Sequence, residues 1–479
     1  MGLRRGKTAE QSAPARRTQQ IRKHSRAMTT GLATKPAIPA EPVDESASWG
    51  RAAFDTFFVF AMSATLSILL HVPAFFREWK EGDEIVYLEL ARLMKWDLSH
   101  YNTQDSPRVQ NWPYSIYRQP LFHHGPLYPL ILKLGISVGA PAETGLTFAL
   151  LCMIGLLAAI TATPRILPCD RIALAAGLLF CAVEPLQGFT TTRLLHDGLS
   201  GILLAGGLLA YVGALDRRSA ALAVAAGLLL AASLNMRFNC LVALPLIPLL
   251  QLFSLYRDQR LAAGVGVATG EGAGAPDARP VWQRPAHWTV FAIVFGLVMT
   301  LGMQHFYRLL AEYGTLSPSA IIVPVANIHE VLPVTVFWDN QTRLQSTFHL
   351  AVMMPVLLLA LSPPVLGQVF EGFRAGHWCA ALWASLGYLF ACWFWFSHTQ
   401  LRYAALWTPL FCLLLPWMLW ATVRKFPRTV VTVLALTFVS SISSDYWSTV
   451  FDQSTAEVVP AFYFYFPFLS PLYRTGWGS

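Results

Sequence analysis

Ser219 to Tyr256 reads SAALAVAAGLLLAASLNMRFNCLVALPLIPLLQLFSLY, a run of 38 residues whose only charge is Arg237. As one helix it would be ~57 Å long, well over a ~30 Å hydrocarbon core. The polar break Asn235-Met236-Arg237-Phe238-Asn239 divides it into two apolar halves. The run therefore reads as a helical hairpin that crosses a bilayer twice, with Arg237 at its turn.

The rest of the chain has the same character. Of its 479 residues, 54% are hydrophobic and 13% charged, about half the charged fraction of a soluble protein. The expected fold class is an all-α polytopic membrane protein with about eleven transmembrane helices of roughly 20 residues each. They fall near 52–73, 143–164, 171–188, 197–215, 219–234, 239–256, 287–311, 349–370, 378–397, 403–422 and 428–444. Alternate gaps hold Arg165 and Arg171, Arg217 and Arg218, Arg257 to Arg284, Arg374, and Arg424 to Arg428. Placing these clusters inside, as the positive-inside rule requires, puts the N-terminus in the cytoplasm and the C-terminus outside. The short apolar run Gly125–Leu134 then has to be a juxtamembrane helix in the first outer loop, because counting it as a span would reverse every cluster. The net charge of +8 is an orientation signal. With no basic patch and interleaved aromatics outside the membrane, it implies no nucleic-acid partner.

Three regions follow. Residues 1–51 are basic and lack apolar periodicity, so they read as a disordered cytoplasmic tail without the apolar core of a signal peptide. Residues 52–444 form the transmembrane domain, with 261–280 as a Gly/Ala-rich cytoplasmic linker. Residues 445–479 are a short outward-facing aromatic tail. The seven cysteines show neither metal-ligand spacing nor an arrangement for an exported disulfide, and read as free thiols. Ala/Leu-rich composition and short loops favour a bacterial inner membrane. The alternative is an endoplasmic reticulum membrane, where Asn340-Gln341-Thr342 would be a glycosylation site.

The chemistry-bearing residues gather on the outer face. Glu81-Gly82-Asp83-Glu84 precedes Tyr87, Leu90, Ala91, Met94 and Leu98, the i, i+3, i+4, i+7 spacing of one helical face. Asp83 reads equally as a helix cap and as a base able to take a hydroxyl proton; Glu84 is its neighbour. Arg118 and the pair His123-His124 could bind phosphate or merely meet headgroups. Trp112, Tyr114 and Tyr117 suit the membrane interface. Glu184, Arg193, His196 and Asp197 surround the second outer loop, where ionisable groups beside lipid are costly; Asp197 also reads as a cap. Arg237 and Arg402-Tyr403 stand at later outer boundaries, where an Arg fork suits phosphate oxygens.

Taken together these segments resemble integral-membrane glycosyltransferases of the GT-C fold, in the group containing protein O-mannosyltransferases and lipid A aminoarabinose transferases. Glu81-Gly82-Asp83-Glu84 looks like the family's acidic first-loop motif. His123-His124-Gly125-Pro126-Leu127-Tyr128-Pro129-Leu130 looks like its His-x-Pro-Pro-Leu-Tyr segment, with Gly125 where relatives often carry Pro. Thr192-Arg193-Leu194-Leu195-His196-Asp197, Asn235-Met236-Arg237 and Leu401-Arg402-Tyr403 resemble its later Arg and Asp markers.

The resemblance implies an inverting transfer of a sugar from a polyprenyl-phosphate-linked donor to a hydroxyl on a glycan, lipid or protein. Asp83 and Glu84 would be the catalytic carboxylates. His123, His124, Arg193, His196, Asp197, Arg237, Arg402 and Tyr403 would hold the donor phosphate and substrate. No cofactor is expected; Glu84 and Asp197 leave room for a divalent metal that nothing else indicates. The rival class is a transporter or lipid flippase without covalent chemistry, which would favour repeats and ionisable groups at the membrane midplane.

Overall fold

The computed structural model describes residues 45–71, 83–109, 119–184, 191, 193–268, 286–315, 358, 360–396, 401–423, 425–432 and 435. The chain separates into two compact units, Met1–Asp55 and Thr56–Ser479. Of the first, only the opening turns of a helix are described. Trp112, Tyr114, Tyr117, Arg118, the linker beyond 268 and the 445–479 tail lie outside the described residues.

Among the described residues all regular structure is helical: α1 (Glu45–His71), α2 (Asp83–Leu93), α3 (Leu127–Ser137), α4 (Thr144–Ala162), α5 (Arg171–Val183), α6 (His196–Arg217), α7 (Ala220–Met236), α8 (Leu246–Ala268), α9 (Ala286–Tyr313), α10 (Pro363–Ala375), α11 (Trp378–Phe396) and α12 (Thr408–Val423). Five stretches are long and apolar enough to cross a membrane: Ala53–His71, Thr144–Ala162, His196–Arg217, Phe238–Arg260 and His287–Tyr313. Phe57, Phe58, Met62 and Leu69 on α1, and Ile293, Leu297 and Leu301 on α9, are exposed. Such apolar stripes are compatible with a bilayer and would be costly in water.

Local signals explain the boundaries. The Asp170 carboxylate accepts the Ala173 N–H at 2.8 Å to start α5, and Ser219 Oγ accepts the Leu222 N–H to start α7; both are capping bonds to otherwise unsatisfied donors. Arg218, at φ 53°, ends α6 in the left-handed region, which lets α6 and α7 fold back as a tight hairpin. The expected break at Arg237 is also present. There α7 ends at Met236 and a 3-10 helix, Phe238–Ala243, leads into α8.

Some expectations shift. The 349–370 run is interrupted at Leu361–Ser362, and α10 begins at Pro363, where proline's fixed φ suits a first turn and its missing N–H costs nothing. The start of the 261–280 linker is helical, since α8 continues to Ala268. The expected face of α2 is buried from Val86 to Ala91, yet Leu98 falls past the helix end at φ 61°. Glu89, expected away from that face, is buried as well. It accepts from Arg92 Nη1 at 2.8 Å and from Ser106 Oγ at 2.9 Å.

Two cores result. The larger joins α4 to α12; the smaller, from α2, α3, Leu194, Leu199, Met236 and Phe306, underlies the lobe of α2, α3 and their connection. α6 runs away from this lobe for ~33 Å along its axis. At that far end Asp216 meets Arg257 Nη2 at 2.8 Å and the Trp378 indole N–H at 3.1 Å.

Gly125 ties the lobe to the end of α7. A Cβ there would collide with the Asn235 carbonyl oxygen, and its own carbonyl accepts the Tyr101 hydroxyl at 3.1 Å. This accounts for glycine at that position. Gly125→Ala should lower unfolding stability by about 1–3 kcal/mol through overpacking, measured as a fall in the thermal midpoint of the detergent-solubilised protein.

Candidate active site

The two adjacent carboxylates at the start of α2 have different surroundings. Successive helix residues point ~100° apart, so Glu84 turns inward while Asp83 stays half-buried at the lobe surface. Glu84 is 2% exposed, and its Oε1 accepts the Leu194 N–H at 2.7 Å. That bond fastens the first turn of α2 to the loop entering α6, and Glu84 acts as a tie between segments 110 residues apart in sequence. Asp83 is instead within electrostatic reach of the His123 ring.

His123 and His124 lie in the turn ahead of α3, their ring centroids 4.2 Å apart. His123 Nδ1 meets Gln119 Oε1 at 3.2 Å. Burial pushes the His123 imidazole down to about 4, against the opposing pull of the Asp83 charge, so it is neutral near pH 7. His124 continues to His196 on α6, 5.0 Å away, and the Tyr87 ring stands edge-on to His196, also at 5.0 Å.

His196 Nδ1 is 3.8 Å from Asp197 Oδ2, and Asp197 forms an ion pair with Arg237. Asp197 has no exposed surface. It is not the cap of α6, because that position belongs to Leu195 and no side-chain capping bond is made. Its partner is tertiary: the guanidinium delivered by the α7–α8 turn, which lies 4.2 Å from the Tyr403 ring centroid. A cavity of about 100 Å³ opens beside the pair, with Ser200, Cys240, Trp393 and Tyr403 in its walls. Ser200 Oγ donates to the Asp197 carbonyl within α6, and its own carbonyl accepts Ser233 Oγ of α7, both at 2.8 Å; the second bond joins the two helices beside the cavity.

His123, His124, His196, Asp197, Arg237 and Tyr403 thus form one continuous line of contacts, with Asp83 beside its first member. Arg193 is half-buried in the loop held by Glu84. Arg402 lies in the 3-10 helix Leu401–Leu406, and its side chain falls outside the described residues. Sequence reasoning missed Trp393, which reads as one more apolar residue. It also missed His305 of α9, which is 1% exposed and joins the group from behind; a histidine inside an apolar span was the available signal. Among the described residues no group of three or more His, Cys, Asp or Glu is arranged to hold a metal. All seven cysteines are free.

The chain was compared with known proteins: no family model matches it, and no curated protein sequence does either.

Arg237→Ala leaves a buried carboxylate uncompensated and should cost about 3–5 kcal/mol, whereas the Asp197→Ala, Arg237→Ala double variant should cost less than the sum of the single changes, as read by thermal or denaturant unfolding. The depressed His123 value has its own signature. Between an unfolded value near 6.5 and the folded value of about 4, the unfolded chain binds a proton that the folded chain does not. Stability should therefore fall by roughly 3 kcal/mol as pH drops through that window, and His123→Gln should flatten that part of the stability–pH curve.

Proposed function

We propose that the protein is an inverting glycosyltransferase that moves a sugar from a polyprenyl-phosphate-linked donor to a hydroxyl acceptor at a membrane surface. The observation that carries this reading is the continuous line from Asp83 to Tyr403, gathered at one end of an apolar helical assembly. A bilayer-embedded donor lipid can approach such a site sideways, with its phosphate at the depth of the polar cluster.

In the proposed reaction Asp83 accepts the acceptor's hydroxyl proton as the oxygen attacks the anomeric carbon. The bond from that carbon to the phosphate oxygen breaks on the opposite face, which inverts the configuration. The lipid phosphate leaves with the bonding electron pair. Arg237 suits its charge, because a guanidinium presents five N–H donors in a planar fork that matches phosphate oxygens. The rings of His124 and His196 stand next along the line, 5.0 Å apart, and add polar edges beside it. Donors aimed at charge that develops in the transition state are worth more than the same donors in water. Glu84 and Asp197, the two carboxylates left open for a metal, are engaged with Leu194 and Arg237 respectively.

About eleven spans, an inner-membrane location and a cytoplasmic N-terminus complete the reading. The concentration of candidate residues at one end of α6, with Asp216 and Arg257 at the other, supports two chemically different faces.

Asp83→Asn should reduce sugar transfer by about 10²–10⁴-fold, the usual contribution of a general base, while leaving expression and the thermal midpoint unchanged. The measurement is transfer by nanodisc-reconstituted protein, together with mass spectrometry of cell-envelope glycans. Undiminished transfer would remove Asp83 from the mechanism. Lipid movement with no covalent product would favour the transporter reading.

A further inference from the structure

The site has a back wall that the proposed reaction does not use. His305 lies in the second half of α9, a predominantly apolar helix, and is almost completely buried. Its ring meets Tyr101 edge-on, with centroids 5.1 Å apart and planes at 88°. Neither ring nitrogen makes a well-formed hydrogen bond. The ring faces the His124 backbone carbonyl and is within electrostatic reach of His123 and Arg308. A buried donor or acceptor left in this condition costs about 1–3 kcal/mol, so a leucine would serve better if filling space were the only task.

The placement of His305 is over-determined. One turn earlier, a Cβ at Gly302 would collide with the Asn235 side chain, so α9 presses directly on the end of α7. The Asn235 amide also donates to the Val298 carbonyl at 3.2 Å. Beyond His305, Arg308 donates to the Leu98 carbonyl. The Tyr313 hydroxyl donates to the Leu121 carbonyl at 2.8 Å and accepts the Leu121 N–H at 3.3 Å. α9 thus grips the chain just ahead of the histidine pair and carries His305 against that pair.

We propose that His305 is a positioning residue: it backs the His123–His124 turn and holds the two imidazoles toward Asp83 and His196. This rests on reading that pair as part of the working site. His305 acts through the pair, so its effect should appear as a change in what His123 does.

The test follows the His123 ring directly, by NMR of histidine-labelled protein in nanodiscs. His123 is faced by Asp83 from α2, by Gln119 and His124 from its own turn, and by His305 from α9, which Arg308 approaches in turn. In the wild type it should stay neutral down to about pH 4. His305→Leu keeps the core filled but frees the turn, and should raise the His123 midpoint by at least about one unit, a tenfold change in protonation at a given pH. His305→Asn, which keeps a polar group near the Nδ1 position, should move it back toward the wild-type value. An unchanged His123 titration in folded His305→Leu overturns the proposal. Should the leucine variant fail to fold, a fully wild-type His123 titration in His305→Ala overturns it equally. Transfer activity is read separately: a displaced His123 titration in a protein with no transferase activity would uphold the positioning role and remove the enzymatic reading.

Discussion

A carboxylate with no exposed surface must be compensated where it stands, since an isolated buried charge costs far more than a domain's net stability. Asp197 is in that condition, and Arg237 meets the need from the α7–α8 turn. Much of the architecture follows from that pairing. α7 has to end level with the start of α6, so the two helices run antiparallel over their full length. The 3-10 helix at 401–406 has to pass close enough for Tyr403 to cover the guanidinium. Replacing such a pair by apolar residues is often neutral for stability, so its presence points to a task beyond holding the helices together.

Asn235 organises the neighbouring contacts. Its carbonyl is approached by Gly125, its side chain fills the space that Gly302 leaves open, and its amide donates to α9. The lobe carrying Asp83 and the histidine pair is therefore referenced to the same turn that presents Arg237. A base and a phosphate-binding group must keep their separation to within a fraction of an ångström if the reacting atoms are to stay aligned. Anchoring both to one residue is a direct way to do so. Glu84 adds a second reference, through the Leu194 N–H, between α2 and the start of α6.

Several of these features were readable in the amino-acid order. The polar break at 235–239 predicts that the apolar run divides there, and α7 ends at Met236. Gly125–Leu134 is apolar but too short to span, and the corresponding helix α3 packs within the lobe. The candidate residues, taken from separate segments, largely meet. Other features were not readable. Asp197 has the local pattern of a helix cap, and only the position of Arg237 shows that it is an ion-pair partner. Asp83 and Glu84 are equivalent in a linear pattern; helical rotation gives one to the core and the other to the surface. Pro363–Pro364 interrupts a run that hydropathy alone joins together.

Composition and charge order determined by themselves that the chain is helical and apolar, and which segments bear polar chemistry. These properties depend on residue type summed over a window, and hydrophobic burial is insensitive to the identity of the partner. The tertiary structure decided which carboxylate is buried, which arginine neutralises Asp197, and that a histidine of α9 stands behind the histidine pair. Those outcomes depend on direction and on separations of a few ångströms between groups far apart in sequence, because hydrogen bonds and buried charges are satisfied only by the particular atoms that packing brings into reach.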